Sequence, residues 1–236
     1  MSTRAIVLPL LAAALLAGAA AAARAQHDHA ALRRMLAAQP DYTATSTSVM
    51  YAGDHAFGGK SKVAKSGGRY YEDNGSVVFL YEKGKPTVKV YHDRKAYAEL
   101  PPNGETDFAF PAEALAARED VTFKLSGREM VGEYDTLKIE ATVPLGNGKE
   151  FQALMYAAPG LKNLVVKVEF SAGGHPITMS FLEGVSLDVP EELFAVPKGY
   201  AKVVEKAPPA DPAAGLLEEL RRPAGGRSRP PKPRRD

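Results

Sequence analysis

The 236-residue sequence contains no cysteine and no tryptophan. Without cysteine there is no disulfide, no thiolate metal ligand, no thiol nucleophile and no lipobox cysteine to be acylated. The sequence also lacks a Gly-x-Ser-x-Gly nucleophile turn, and none of its five histidines has a metal-ligand partner at helical spacing. We therefore expect a protein that is not an enzyme and that needs no cofactor or metal.

Only the N-terminus carries a long apolar run. Residues 1–25 have a basic start at Arg4, an apolar core over residues 6–16 and the small-residue ending Ala23-Arg24-Ala25, which is the order of a cleaved signal peptide. The core is short for a membrane span. We expect export to a periplasm, a monomeric mature chain and no transmembrane segment in it. Residues 26–29, Gln-His-Asp-His, could bind Cu(II) or Ni(II) weakly, but a solvated chain end is the simpler interpretation.

Charge divides the mature chain into two parts. Residues 26–220 contain 21 basic and 27 acidic residues, so this body is acidic and is not expected to bind nucleic acid. Residues 207–236 hold seven of the eighteen prolines and are expected to form a disordered tail. This tail either attracts an anionic envelope surface or only aids solubility. Its basic residues are Arg221, Arg222, Arg227, Arg229, Lys232, Arg234 and Arg235.

Alternating apolar and polar residues predict an antiparallel sheet. The alternation is clearest in residues 137–143, 151–155, 164–170 and 177–181. Glycine- and asparagine-containing turns, among them residues 73–75, separate nine or ten such strands. Gly53 and Gly58-Gly59 are expected to interrupt the first strand before a second one around residues 60–65. Short helices are predicted over residues 30–39 and 111–118. Two short helices cannot cover so broad an apolar face. The sheet must therefore close on itself, pack as a sandwich or curve around a cavity.

Tyrosine is concentrated in the first half of the predicted sheet, with seven of the ten residues between Tyr42 and Tyr97. The simpler interpretation is that tyrosine suits a half-buried pleated surface. The alternative is an amphipathic ligand-binding surface at the mouth of a groove.

Several motifs resemble periplasmic proteins of the lipoprotein-carrier (LolA-like) superfamily, or related exported domains. They are Arg69-Tyr70-Tyr71, the runs at residues 95–100 and 131–134, Ala-Ala-Pro-Gly at 157–160, and a Phe-x-x-Pro-x-Gly-Tyr ending at residues 194–200. The resemblance implies a mainly β (α+β) fold over residues 26–206. Its form would be a curved antiparallel sheet or incomplete β-barrel of about 9–11 strands, with two or three short helices on the concave side.

In those carriers the concave side holds the acyl chains of lipoproteins, whereas related folds serve as sensors and at least one is an enzyme. Our leading hypothesis is a non-enzymatic protein that binds an acyl chain or another hydrophobic ligand, with a role in lipoprotein or lipid trafficking. The alternatives are an envelope sensor or interaction domain with a self-filled core and, less favoured, an enzyme using the same cleft. The candidate cavity residues are Phe79, Val88, Val90, Met155, Leu164, Val166, Val168, Phe170, Met179 and Phe181.

Overall fold

The computed structural model describes residues 28–53, 55–100, 111–145 and 148–205. The predicted signal peptide (1–25) and basic tail (207–236) lie outside these residues. Among the described residues, twelve strands form one curved sheet that is not closed into a barrel. The mainly β, antiparallel fold expected from the sequence is therefore confirmed, with one strand more than the expected range.

The sheet contains long strands at its centre and shorter ones towards one edge. Its strands are β1 (Tyr42–Ala52), β2 (His55–Ser66), β3 (Arg69–Asp73), β4 (Val78–Glu82), β5 (Thr87–Tyr91), β6 (Ala96–Leu100), β7 (Thr122–Val131), β8 (Tyr134–Leu145), β9 (Lys149–Ala158), β10 (Leu164–Ala172), β11 (His175–Ser186) and β12 (Ala201–Lys202). The helices are α1 (residues 28–37) and α2 (Pro111–Ala117), and single 3-10 turns span Pro159–Leu161 and Glu191–Phe194.

The strands lie in the order β12-β6-β5-β4-β3-β2-β1-β11-β10-β9-β8-β7. Neighbouring strands are antiparallel except for β12, which pairs parallel to β6. Two hairpin series, β1–β6 and β7–β11, thus meet where β1 pairs with β11. Helix α1 and the described residues after β11 belong to neither series. They pack on opposite faces of the sheet.

Local turn chemistry explains the short hairpins. Between β3 and β4, the Asp73 carboxylate accepts a hydrogen bond from the amide of Gly75, and the Asn74 side chain accepts bonds from the next two amides. Gly75 has φ 86°, which only glycine adopts without strain. The predicted turn at residues 73–75 is confirmed.

Gly58 and Gly59 were expected to interrupt the chain before β2, and this expectation is wrong. Strand β2 runs through both glycines and pairs with β1 along its whole length. A Cβ atom on Gly58 would lie 2.6 Å from the carbonyl oxygen of Ser48. A side chain at position 58 would collide with the backbone of β1. The close approach of β1 and β2 at this point therefore requires glycine.

The main core lies between the two helices and strands β7–β10. Leu36 of α1 and Leu115 of α2 pack on Ile139, Ala153 and Met155. We call this side of the sheet the helix face. The alternation predicted for residues 137–143 and 151–155 is confirmed, because every second residue from Ile139 to Val143 and from Phe151 to Met155 is buried on this face, whereas Leu137 is half-buried.

The opposite face of β3–β6 is covered by the end of the described chain. Val78, Leu80 and Val90 form a buried cluster against Val196 and Tyr200. The Arg69 guanidinium pairs with Glu191 and lies 4.6 Å from the ring centre of Phe194, while His92 Nδ1 and the Tyr200 hydroxyl are 2.8 Å apart. The Phe-x-x-Pro-x-Gly-Tyr ending is therefore a structural cover for this half of the sheet.

Candidate functional site

A row of directly opposed residues crosses seven strands on the helix face. Each residue is the cross-strand neighbour of the next, from β2 through β1, β11, β10, β9 and β8 to β7. We call it the apolar row, and its members are Phe57, Met50, Thr178, Phe170, Ala153, Ala141 and Phe123. Six of the seven are apolar, and the one polar member, Thr178, lies between Met50 and Phe170.

Burial changes sharply along the apolar row. At the β7–β9 end, Phe123, Ala141 and Ala153 are buried beneath the helices. At the other end, Met50 is 57% exposed and Phe57 is 62% exposed. The row therefore leads from the closed core to an open apolar end formed by the β1–β2 hairpin.

The neighbouring row on the helix face is small and polar near this open end. Gly59, Ser48 and Ser180 oppose one another there, before the row becomes apolar at Val168. Small side chains leave space beside Met50 and Phe57. Exposed large hydrophobic residues of this kind are the usual mark of a binding surface when they are contiguous.

Two further exposed hydrophobic residues share the helix face at the far edge. Leu125 of β7 opposes the buried Ile139 and is 49% exposed. Met130 is 61% exposed and opposes Asp135. Asp135 lies on the helix face because it is four residues, or two full alternations, before Ile139 in β8. All four large hydrophobic residues exposed on described strands thus belong to one face of the sheet.

The ten cavity residues predicted from the sequence do not share one surface. Met155, Val168 and Phe170 belong to the helix-face core. Leu164 and Val166 belong to a second cluster with Tyr42, Ala44 and Val63. The expectation that all ten point into one hollow is therefore corrected by the strand register.

Val88 and Val90 lie on the side covered by the C-terminal segment, whereas Phe79 opposes Lys89 on the other side of β4 and β5. Phe79 stacks on Tyr81 with ring centres 6.0 Å apart. These three residues are well away in the sheet order from β9 and β10. They fill local packing positions and not a common cavity.

Met179 and Phe181 lie on the face opposite the helices. Phe181 opposes Lys167, and Met179 opposes Glu169, whereas Val168 between them opposes Ser180. The cause is a β-bulge between Phe170 and Ser171, which inserts one extra residue into β11 and reverses its alternation. A second bulge between Val165 and Lys167 sets Leu164, which opposes Ala158, out of phase with Val168, which opposes Met155.

Sequence reasoning missed Met50 and Phe57. The available signal was weak, because Ser46 and Ser48 separate Ala44 from Met50 on that face of β1, and only the pairing of the hairpin relates Met50 to Phe57. The two glycines at 58–59 obscured it, because they were interpreted as a break and not as part of β2. The tyrosines divide between faces: Tyr42 and Tyr70 flank Lys65 on the helix face, whereas Tyr71 and Tyr97 pack in the cluster opposite.

A polar cluster lies beneath α2. The Lys65 ammonium group is 3.0 Å from the carbonyl oxygen of Gln39, 3.3 Å from Glu113 Oε1 and 3.9 Å from Asp41 Oδ1. Burial raises the pKa of Glu113, and the nearby Lys65 charge partly opposes that rise. Burial also raises the pKa of Tyr42, with a smaller contribution from the Glu113 charge. The cluster ties β2 to the start of α2.

Arg33 joins the two helices at the other end of α2. Its guanidinium donates to the carbonyl oxygens of Ala116 (3.0 Å) and Val121 (2.7 Å), and also to those of Arg118 and Glu119. Carbonyls at a helix C-terminus lack intrahelical partners, so a cation is well placed there. The same guanidinium lies 5.4 Å from the ring centre of Phe123.

Two open pockets are present, and neither has Met50 or Phe57 in its lining. A cavity of about 460 Å³ is lined by polar residues at the β2–β3 turn. One of about 260 Å³ lies by the β10–β11 turn, and its lining includes Phe170 and Thr178 of the apolar row as well as Tyr51, Glu169 and Met179. Within the described ranges there is no cluster of three potential metal ligands. Nor does any helix in this part of the chain have the length and apolarity needed to cross a membrane.

No protein-family model matches the chain, and no curated protein does. Solved structures do match it. The lipoprotein LppX of Mycobacterium tuberculosis has 13% identity and a TM-score of 0.40, with 68% of this chain and 97% of that chain covered. A LolA superfamily protein of Nitrosomonas europaea has 11% identity and a TM-score of 0.36, with 71% and 97% covered.

A putative outer membrane lipoprotein-sorting protein domain of Vibrio parahaemolyticus has 13% identity and a TM-score of 0.33, with 70% of this chain and 94% of that chain covered. Proteins of the superfamily that the sequence motifs resemble are thus among the structural neighbours of this chain. With TM-scores below 0.5 they carry no argument about function, which must come from the chain's own residues.

Proposed function

We propose that the protein binds an acyl chain, or a hydrophobic ligand of similar shape, on the helix face at the open end of the apolar row. The observation that supports this is the exposure of Met50 and Phe57 in the same cross-strand row as the half-buried Phe170 and the buried Ala153, with only Thr178 between Met50 and Phe170. A hydrocarbon chain laid along the row would extend the core onto β11, β1 and β2.

The ligand would lie beside the helices and not beneath them. Leu36 and Leu115 already fill the space over β7–β10. A chain at the open end would contribute about 0.8 kcal/mol for each buried methylene, or about 8 kcal/mol for roughly ten of them before the costs of association. Binding of this kind needs no cofactor and no reacting group.

Two matched pairs of residues allow a direct test. Met50 and Phe57 lie on the helix face, whereas Met179 and Phe181 lie nearby on the opposite face. Phe57→Ser and Met50→Ser should remove most of the co-purified lipid, and should weaken binding of a fluorescent fatty acid about tenfold in the double variant. Phe181→Ser and Met179→Ser are the controls and should retain binding.

The readouts are native mass spectrometry and lipid extraction of the protein purified from its own cell envelope, together with fatty-acid titration. Equal loss of ligand from both pairs would contradict a site on the helix face. Wild-type protein without co-purified lipid and without fatty-acid binding would overturn the proposal as a whole.

A second candidate function is an interaction or sensor domain with a self-filled core. The observation in its favour is the sixteen-residue cluster of buried side chains that already joins both helices to the sheet. This candidate predicts a lipid-free protein whose open apolar end, Met50 and Phe57, contacts another envelope protein. The same lipid extraction therefore separates the two candidates.

Catalysis is not part of the proposal, although titratable groups do converge under α2. The Lys65 side chain is 7% exposed and is held by Gln39 and Glu113. A group so enclosed and paired has no route to a substrate in this arrangement. Its contacts instead stabilise the position of α2, as salt-bridged groups in protein interiors can.

The proposal has three further parts. The protein is exported, it is free in the periplasm, and its basic tail attaches to an anionic surface. They rest on the sequence of residues 1–25 and 207–236, which lie outside the described ranges. Lipoprotein or lipid trafficking is the process that such a carrier would serve.

A further inference from the structure

Strand β7 forms one edge of the sheet and its outer side has no strand partner among the described residues. It is ten residues long, and eight of its positions are exposed. The other edge is different, because residues 201–203 cover β6 there with backbone hydrogen bonds to Lys95 and Tyr97. A long bare edge offers unpaired backbone groups to another strand.

A β-bulge sits near the middle of β7, between Leu125 and Gly127. On its N-terminal side, Leu125 faces the helix side with Ile139 while Lys124 faces away with Glu140. Beyond the bulge, Arg128 opposes Leu137 on the helix side while Glu129 opposes Thr136 on the other. The two halves of the strand are therefore out of step by one residue.

This phase change makes β7 complementary to itself. When two copies pair antiparallel about an axis between Ser126 and Gly127, every pair of opposed residues shares a face of the sheet. Lys124 then lies opposite Glu129 of the second copy, and Glu129 lies opposite its Lys124. The remaining pairs are Thr122 with Val131, Phe123 with Met130, Leu125 with Arg128, and Ser126 with Gly127.

Other registers lose this complementarity. A shift by one residue places helix-side residues against residues of the other face, which sheets do not tolerate when one face is apolar. A shift by two residues in either direction separates Lys124 from Glu129. Opposite charges directly across an antiparallel pair stabilise it, whereas like charges destabilise it.

We propose that two copies of this protein associate through β7, as an antiparallel pair with Lys124 opposite Glu129 in both directions. The dimer has a twofold axis and an isologous contact, the commonest symmetry of protein pairs. Pairing extends the sheet across both molecules and adds a partner to the exposed side chains of Leu125 and Met130. The monomer expected from the sequence is replaced by a weak, concentration-dependent dimer.

Charge reversal with complementation tests the pairing. The variant Lys124→Glu would set two carboxylates against each other at both pairs of the dimer, and Glu129→Lys would set two ammonium groups against each other at both. Each variant should raise the dimer dissociation constant about tenfold, because two attractive pairs become repulsive. An equimolar mixture should recover association, because the mixed dimer has opposite charges at one pair and again at the other.

Sedimentation equilibrium of the full-length protein across the micromolar range measures this, with circular dichroism to confirm that each variant is folded. Within a single molecule, Lys124 opposes Glu140 and Glu129 pairs with Lys138 at 3.0 Å, and mixing cannot repair those contacts. Recovery in the mixture therefore reports the contact between copies. Lys149→Glu, an exposed change of equal charge on β9, is the control and should leave association unchanged.

Three results would overturn the proposal. They are a wild-type protein that stays monomeric over the whole range, a dimer that both reversals leave intact, and a mixture no better associated than either variant alone. Association weakened equally by Lys149→Glu would show a net-charge effect and would also count against β7.

Discussion

Replacing Lys65 by methionine should destabilise the protein by about 3 kcal/mol near neutral pH. The lysine side chain is 7% exposed and its partner Glu113 is 25% exposed, so removing the ammonium group leaves a carboxylate in a largely dry site. Breaking a buried pair by removing one member costs about 3–5 kcal/mol. The residual exposure of Glu113 places the expected loss at the lower end.

The pH dependence follows from the pKa of Glu113. Burial raises that pKa above its ordinary value of 4.5, and Lys65 lowers it in part. Because the folded protein then holds this proton more tightly than the unfolded chain, stability from this group falls as pH rises through the raised pKa. In Lys65→Met the pKa rises further, so the destabilisation should grow from acid towards neutral pH.

Urea unfolding followed by tyrosine fluorescence and circular dichroism at several pH values measures the effect, since the chain has ten tyrosines and no tryptophan. Adding Glu113→Gln to Lys65→Met should recover stability at neutral pH, because no carboxylate remains to be buried. Lys62→Met, at an exposed position of the same strand, should change stability by less than about 0.5 kcal/mol. A loss that is independent of pH, or that Glu113→Gln does not reduce, would refute the reasoning.

Two further outcomes are expected. Arg33→Met should lower the free energy of unfolding by about 2 kcal/mol in thermal or urea unfolding, because four backbone carbonyls lose a charged donor. Arg34→Met, at the exposed neighbouring position, is its control, and equal losses from both would contradict the role given to Arg33. A chain ending at residue 206 should lose the salt-sensitive binding to anionic phospholipid vesicles that we expect of the full chain, at about 1 kcal/mol for each basic residue near the surface. If the truncated chain binds these vesicles as well as the full chain does, the tail has no role in surface attachment. Vesicles of zwitterionic phospholipid measure the binding that does not depend on lipid charge.

The alternation of apolar residues predicted the strands well where no bulge intervenes. Residues 137–143 and 151–155 lie on the face that the sequence assigned to them, because the pleat repeats every two residues. The same rule failed for residues 177–181. One extra residue beside Phe170 reverses every later side chain, and neither its type nor its neighbours distinguish a bulge from a regular strand.

The buried lysine could not be predicted from local pattern either. Lys65 follows Val63 and Ala64 in a strand, where a charged residue normally indicates the solvent side. It is buried because α2 brings Glu113 across it from about fifty residues further along the chain. Long-range pairing of this kind leaves no periodic signal, and the same holds for the contact of Arg33 with the end of α2.

The two covers of the sheet leave part of its centre exposed on the helix face. The helices cover β7–β10 on the helix face, and residues 191–200 cover β3–β6 on the opposite face. Strands β1 and β2 lie between these covers, and only their Tyr42 and Val63 ends join a buried cluster. Their other ends carry Met50 and Phe57 on the helix face, with no described element packed above them. Apolar side chains at such an exposed position add little to the core, which is why we propose this end of the sheet as the binding surface.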